Sequence, residues 1–243
     1  MLSKPKFKYI QSLGQKKFRD ETGLFIAEGP KIIQEFVSAM PGNIITVYAI
    51  EKWINENIKL KDELDIVEIT EKELERISQL PSPNQAIAVI KKISFGPITT
   101  ANKITLALDT IQDPGNFGTI VRIADWFGIQ QIVATNESAD IYNPKVVQAT
   151  MGSIARVAVV YADLKEWLEK QNAIIYAAAL DGKDITTLNK LAEGILLIGN
   201  EGKGIREEIL ALANEKITIP RKGNAESLNA AVATGIILSR LAL

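Results

Sequence analysis

The second half of the chain is a regular alternation of apolar runs and helical periodicities. Strand-length runs near 104–109, 131–135, 157–161, 174–180, 194–199 and 216–219 interleave with helical spacing of apolar residues near 117–127, 144–150, 164–170, 205–213 and 227–241. Apolar strands separated by helices predict a largely parallel sheet covered by helices on both faces, a doubly wound α/β domain. Asp163, followed by Glu166, has the spacing of a capping box at the start of one helix. The last helix is apolar nearly all round, with Leu228, Ala231, Val232, Ile236, Ile237, Leu238 and Leu241 among its residues. Such a helix has to be buried on nearly all sides, either centrally in its own domain or against a second subunit.

The first half carries less pattern. Residues 24–28 predict a strand that enters a helix at Gly29-Pro30, where Ile32, Ile33, Phe36 and Val37 fall at helical spacing. Residues 44–50 and 86–90 predict two further strands, so this half is a small α/β domain. Ser94-Phe95-Gly96-Pro97-Ile98-Thr99-Thr100-Ala101-Asn102 is punctuation between two apolar regions. It separates an N-terminal domain, 1–95, from a C-terminal domain, 103–243.

Composition narrows the chemistry more than it widens it. The 243 residues contain no Cys and no His, which excludes disulfides, Cys-ligated metal, thiol nucleophiles and the usual near-neutral base. No metal site is expected. Proton transfer has to use carboxylates, Lys, Tyr, water or the substrate itself. No apolar run is long enough to span a bilayer, and the N-terminus lacks the apolar centre of a signal peptide, so a cytoplasmic protein without a membrane partner is expected.

Net charge is −1, which taken alone argues mildly against a nucleic-acid partner. The distribution argues the other way: Lys4, Lys6, Lys8, Lys16, Lys17 and Arg19 crowd the first segment, while acidic residues concentrate between Glu51 and Glu75. That leaves two readings open, a basic patch for RNA or a solvated helix face.

Three polar, glycine-containing loops follow strand-like runs of the second half. In the first, Asp113-Pro114-Gly115-Asn116 makes a tight turn, and a helix near 117–127 would place Arg122 about one turn in, close enough to face an anion at the helix start. The second, Gly199-Asn200-Glu201-Gly202-Lys203-Gly204, has the wrong spacing for a phosphate-binding P-loop, and its position is wrong for a dinucleotide fingerprint. It supplies unhindered backbone and Glu201. The third runs from Ile219-Pro220 to Glu226-Ser227-Leu228-Asn229 at a helix start, where Ser227 is placed to cap. Each loop alone is an ordinary turn or cap.

Together, in this order, these loops resemble the three motifs of the SpoU/TrmH family of RNA ribose 2′-O-methyltransferases, within the SPOUT class. Met151-Gly152-Ser153 also fits, and the stretch from Phe18 to Gly29 is similar to the opening of the family's small substrate-binding domain, so the resemblance covers essentially the whole chain. It implies an α/β fold whose C-terminal parallel-sheet domain carries a deep trefoil knot, an exception to the rule against knotted chains. It also implies S-adenosylmethionine as cofactor, a homodimer built partly through the last helix, and a ribosomal or transfer RNA as partner.

Residue by residue, the resemblance assigns Gly199, Ile219 and Leu228 to cofactor binding and Arg122 to catalysis. Asn116, Glu201, Ser227 and Asn229 match motif positions taken to orient Arg122 and the target ribose. A guanidinium hardly releases its proton in proteins, so Arg122 is read as gripping a phosphate and the ribose oxygen rather than as a base. Glu201 as general base is the alternative. RNA affinity is assigned to Lys16, Lys17 and Arg19 by phosphate contact. The rival reading is a noncatalytic RNA-binding or ribosome-assembly protein of the same fold; a dinucleotide-dependent oxidoreductase is disfavoured by the glycine placement.

Overall fold

Two short helices that periodicity did not single out open the chain. In the computed structural model, which describes residues 2–242, α1 (Lys4–Ser12) starts at Ser3, whose hydroxyl accepts the Lys6 N–H, and α2 (Lys16–Thr22) ends where Gly23 adopts φ +68°. There follow β1 (Leu24–Glu28), α3 (Pro30–Ala39), β2 (Ile44–Ala49), α4 (Glu51–Glu56), β3 (Ile66–Glu68), α5 (Glu71–Ile77) and β4 (Ala86–Lys91). The strands form one sheet in the order β1-β4-β2-β3; only the β2–β3 pair is parallel. Phe7, Ile10 and Leu13 pack with Ile26, Tyr48, Leu74, Ile77, Ile87 and Val89 in its core, which gives α1 its apolar stripe. A complete capping box starts α5: Thr70 Oγ1 accepts the Glu73 N–H, and the Glu73 carboxylate accepts the Thr70 N–H.

The second half contributes β5 (Ile104–Leu108), α6 (Pro114–Trp126), β6 (Gln131–Ala134), α7 (Pro144–Thr150), β7 (Ala158–Tyr161), α8 (Leu164–Glu169), β8 (Ile175–Asp184), β9 (Gly194–Ile198), α9 (Glu207–Leu210), β10 (Glu215–Thr218) and α10 (Ala230–Leu241). Its six strands form a wholly parallel sheet in the order β10-β8-β9-β5-β6-β7. Ala107, Val133, Ala177, Ile195 and Leu197 pack with Leu164 and Leu168 of α8 and Ile209 of α9. The intervening Leu106, Leu108, Ile132, Leu196 and Ile198 point to the other face and are equally buried, as expected of a parallel sheet covered on both sides. At the β8–β10 pair the register breaks between Lys216 and Ile217, and Gly182 lies so close that a Cβ there would meet the Ile217 backbone N at 2.5 Å. Among the described residues no helix is long and apolar enough to cross a membrane.

The chain forms two compact units, and the division is not a single cut. One comprises residues up to Ser94 together with Asp140–Ala155; the other comprises Phe95–Ala139 and the residues from Arg156 onward. The segment bearing α7, read from the sequence as part of the second domain, therefore packs in the first unit. There the Tyr142 hydroxyl donates to Ile93 O at 3.1 Å and accepts the Ile93 N–H at 2.9 Å, and the Tyr142 ring lies 4.7 Å from that of Phe25. The guanidinium of Arg19 donates to Asp140 at 2.5 Å in the same unit. Met151 (φ 51°) and Gly152 (φ 93°) form a left-handed turn against α3, where a Cβ on Gly152 would lie 2.5 Å from the Glu35 side chain. The Met151-Gly152-Ser153 motif thus serves packing inside this unit.

Three helix boundaries depart from the periodicity for local reasons. Asp113 caps α6 through the Asn116 N–H at 2.7 Å, with Pro114 at the first helical position, so the helix starts three residues earlier than expected. Asn229, rather than Ser227, caps α10, accepting the Ala231 and Val232 N–H groups, which moves that start to Ala230. The helix expected near 205–213 shrinks to the four residues of α9, because Arg206 is extended at φ −58°, ψ 140°. At Asp163 the cap to Glu166 N–H is present at 3.0 Å and starts α8.

Candidate functional site

The strand order locates the site before any side chain is considered. From β5 the chain lays down β6 and then β7 on one side; it returns to place β9 against the other side of β5, with β8 and β10 beyond. In register, Leu108 at the end of β5 is beside Ile198 at the end of β9. Open α/β sheets bind ligands outside the carboxyl ends of strands at such a switch point. The loops that begin at Asp109 and Gly199 diverge from it, and the segment between β10 and α10 completes the group.

Backbone hydrogen bonds fold the Gly199–Ile205 loop back on itself. Asn200 and Gly204 exchange backbone hydrogen bonds at 3.0 and 2.9 Å, and Asn200 Oδ1 accepts the N–H groups of Gly202 and Lys203. The Asn200 amide donates to Thr110 O at 2.9 Å, tying this loop to the one after β5. Gly199 is required by the loop itself: a Cβ there would lie 2.4 Å from the Gly204 carbonyl carbon and the Ile205 nitrogen. The unhindered backbone expected of this loop is thus used by the closure of the loop itself.

Three polar side chains then link all three loops. Asn116, in the first turn of α6, donates through Nδ2 to Glu201 Oε1 at 2.5 Å and accepts the Asn229 Nδ2–H on its Oδ1 at 2.8 Å. Asn229 Oδ1 is meanwhile held by the start of α10, so every member of the Glu201–Asn116–Asn229 chain has its orientation fixed by a partner. Beside it lies a cleft of about 740 Å³, lined by Gly199–Ile205, Ile217–Arg221, Ala225–Leu228 and the apolar side chains Leu180 and Ile198, among others. That size and that mixture of apolar wall and exposed backbone are those of a small-molecule site.

Of the residues singled out from the sequence, Gly199, Ile219, Leu228, Glu201 and Ser227 line the cleft, and Asn116 and Asn229 are joined to it through Glu201. Ser227 is exposed and caps nothing, which corrects the role expected for its hydroxyl. Arg122 is exposed, does not line the cleft, and has no hydrogen-bond or ion-pair partner among the described residues. Because α6 begins at Pro114, Arg122 lies more than two turns in, about 12 Å along the axis from the helix start. Arg122 therefore lies outside the field of the helix end, which is confined to the first turn, and not beside it as the sequence led us to expect.

In the other unit Lys16 and Lys17 are exposed, Lys17 within 3.9 Å of Glu21. Arg19 is corrected: it is buried, donating to Leu13 O and Gly14 O as well as to Asp140, and cannot also reach a phosphate. Two residues that hold the site together, Asp109 and Asn200, had been given no role. A signal existed for the first, an acidic residue closing an otherwise apolar strand run.

Fold and cleft define a class: a doubly wound parallel α/β protein whose ligand site is built by loops at the switch point, with a second, mixed-sheet unit alongside in the sequence. Within that class, residues 103–239 match the model of the SpoU rRNA methylase family, and residues 4–88 match that of the MRM3-like substrate binding domain. The chain belongs to the SpoU rRNA methylase family. It is 29% identical over 240 residues to the 23S rRNA (guanosine(2553)-2′-O)-methyltransferase RlmP of Bacillus subtilis (strain 168), covering 97% of this chain and 95% of that one. Among solved structures it is similar to a putative RNA methyltransferase of the TrmH family from Porphyromonas gingivalis, at 34% identity and TM-score 0.86 over 99% of this chain and 98% of that one. It is similar also to an AdoMet-bound rRNA methyltransferase from Sinorhizobium meliloti, at 32% identity and TM-score 0.86 over 99% of this chain and 95% of that one.

Proposed function

We propose that the chain is an S-adenosylmethionine-dependent methyltransferase that modifies a ribose 2′-hydroxyl of ribosomal RNA in the cytoplasm. The observation that carries this reading is the Glu201–Asn116–Asn229 chain, which draws three separate loops into one arrangement beside the cleft. The cleft fits the cofactor: its apolar walls suit a flat ring, and its backbone groups suit adenine edges and the polar ends of a methionine. Gly199, Ile219 and Leu228 would hold it. When bound, S-adenosylmethionine supplies an electrophilic methyl group on a sulfonium.

What remains for the protein is alignment and management of one hydroxyl proton. Asn116, fixed on both sides, presents a rigid amide edge between Glu201 and Asn229, and these three would orient the ribose. Arg122, exposed and unpaired among the described residues, is free to grip a phosphate and the ribose oxygen in a fork, stabilising developing negative charge. Ser227 lines the same cleft. Residues 1–95 would act as the RNA substrate-binding domain, through Lys16 and Lys17, and 103–243 as the methyltransferase domain.

The reading includes the family's deep trefoil knot and a homodimer through the C-terminal domain. Supporting the dimer, Trp126 of α6 is 84% exposed and Val232 of α10 is 50% exposed, an apolar surface that a monomer would leave in water. The test is titration of the full chain with S-adenosylmethionine, followed by transfer of labelled methyl to protein-free ribosomal and transfer RNA. Alkali cleaves beside every free 2′-hydroxyl, so label recovered in an alkali-resistant dinucleotide from ribosomal RNA is the expected result. Absence of cofactor binding would instead identify a noncatalytic RNA-binding protein of this fold.

A further inference from the structure

We propose that Asp109 and Arg206 are a positioning pair that sets the shape of the cofactor-binding loop, a role that rests on the functional reading above. Asp109 follows the last residue of β5, its side chain 1% exposed, and its own N–H continues the sheet by donating to Ile198 O at 2.9 Å. A carboxylate taken so far out of water requires several donors. It has three: the Arg206 backbone N–H at 2.8 Å on Oδ2, and Arg206 Nε–H at 2.9 Å and the Thr110 hydroxyl at 3.0 Å on Oδ1.

Arg206 is the residue at which the loop leaves the cleft, and Asn200, near its entry, donates to Thr110 O. Both feet of the loop are therefore fastened to the consecutive residues Asp109 and Thr110. Thr110 itself is held at φ +59°, a conformation a β-branched residue keeps only where its surroundings over-determine it; its N–H donates to Thr135 Oγ1 at 2.9 Å. Between the two feet lie Glu201 and the backbone that lines the cleft. Neither Asp109 nor Arg206 lines the cleft, so the pair acts through the loop and not on the ligand.

Arg206→Ala tests this in the full chain. It removes the guanidinium, which is 44% exposed, while leaving the backbone N–H that Asp109 also accepts, so the fold is retained. Two readouts are taken: hydrogen exchange of the Asn200 and Gly204 amides in the free protein, and S-adenosylmethionine affinity by titration. Expected are roughly tenfold faster exchange at these amides relative to the β5 and β9 amides of the same variant, a lowered thermal midpoint because the buried Asp109 carboxylate loses its charged donor, and cofactor affinity weakened about tenfold. Arg206→Lys, which keeps the charge without the Nε geometry, recovers only part of both, and Asp109→Asn reproduces the loss. Loop exchange and affinity within twofold of the unmodified chain in Arg206→Ala would overturn the proposal. If the unmodified chain failed to bind the cofactor, the functional reading would fall, and loop exchange in the free protein would still decide the pairing.

Discussion

Replacing Arg19 should destabilise the first unit rather than act on a phosphate contact. The side chain is 2% exposed; Nη1 donates to Leu13 O at 3.1 Å and Gly14 O at 2.8 Å, and Nη2 to Asp140 Oδ2 at 2.5 Å. Arg19→Met keeps most of the buried volume but strands the Asp140 carboxylate, which among the described residues of the unit then keeps the Tyr142 N–H at 3.1 Å. Breaking a buried pair from one side costs about 3–5 kcal/mol. Asp140 keeps 16% side-chain exposure, which places the expected loss near the lower bound, about 3 kcal/mol.

Adding Asp140→Asn removes the stranded charge and should restore about 2 kcal/mol of that loss. The Nε of Arg19 has no hydrogen-bond partner among the described residues, so the native pair is itself imperfect and leaves room for such recovery. Urea unfolding followed by tryptophan fluorescence reads this out. Trp53 is the one tryptophan of the first unit and is 2% exposed, so replacing Trp126 and Trp167 by Phe makes the signal specific to that unit. A loss below about 1 kcal/mol in Arg19→Met, or strict additivity in the double variant, would refute the clasp.

Arg122→Lys retains the charge and loses the fork; turnover should fall by about 100-fold with cofactor affinity unchanged, and wild-type turnover would remove the bidentate role. Lys16→Glu with Lys17→Glu should weaken RNA binding and lower the slope of log affinity against log salt by about 1–2, measured by filter binding between low and physiological salt; an unchanged slope would take these lysines off the RNA surface. Burial raises the Glu28 carboxyl above its ordinary value, opposed by hydrogen bonds from the Ser78 hydroxyl and the Gln79 N–H. The folded state then holds that proton more tightly than the unfolded chain, so Glu28 destabilises the fold above its folded pKa and this penalty fades as pH falls toward the ordinary carboxylate range. Glu28→Gln should therefore show its largest relative gain in unfolding free energy near neutral pH and lose it on acidification; a pH-independent difference would contradict the shift. Gly152→Ala combines a φ of +93° with a 2.5 Å overlap on Glu35, and thermal denaturation should show a loss of about 3 kcal/mol; retention of the wild-type midpoint would mean the turn can relax.

What the amino-acid order revealed, and what it hid, follows from the range of each interaction. The parallel sheet was legible because strands such as 194–198 are apolar on both faces, and the loops were legible because Gly, Pro, Asn and Asp restrict the backbone locally. Helix starts were missed by three residues at Pro114 and Ala230 because periodicity counts apolar positions, whereas the boundary is set by the caps Asp113 and Asn229. Arg19 was misread because a basic residue in a basic stretch gives no sign of a partner 121 positions away, and that partner lies in a segment whose sequence neighbours belong to the other unit. The same limit hid the role of Asp109 and the contacts, though not the candidacy, of Asn116. Each looks like an ordinary turn or cap residue, and only strand order, by setting Leu108 beside Ile198, brings Glu201 within 2.5 Å of one and Arg206 within 2.8 Å of the other. The site is thus a property of the topology: the motifs supply groups able to meet, and the position of β9 against β5 makes them do so.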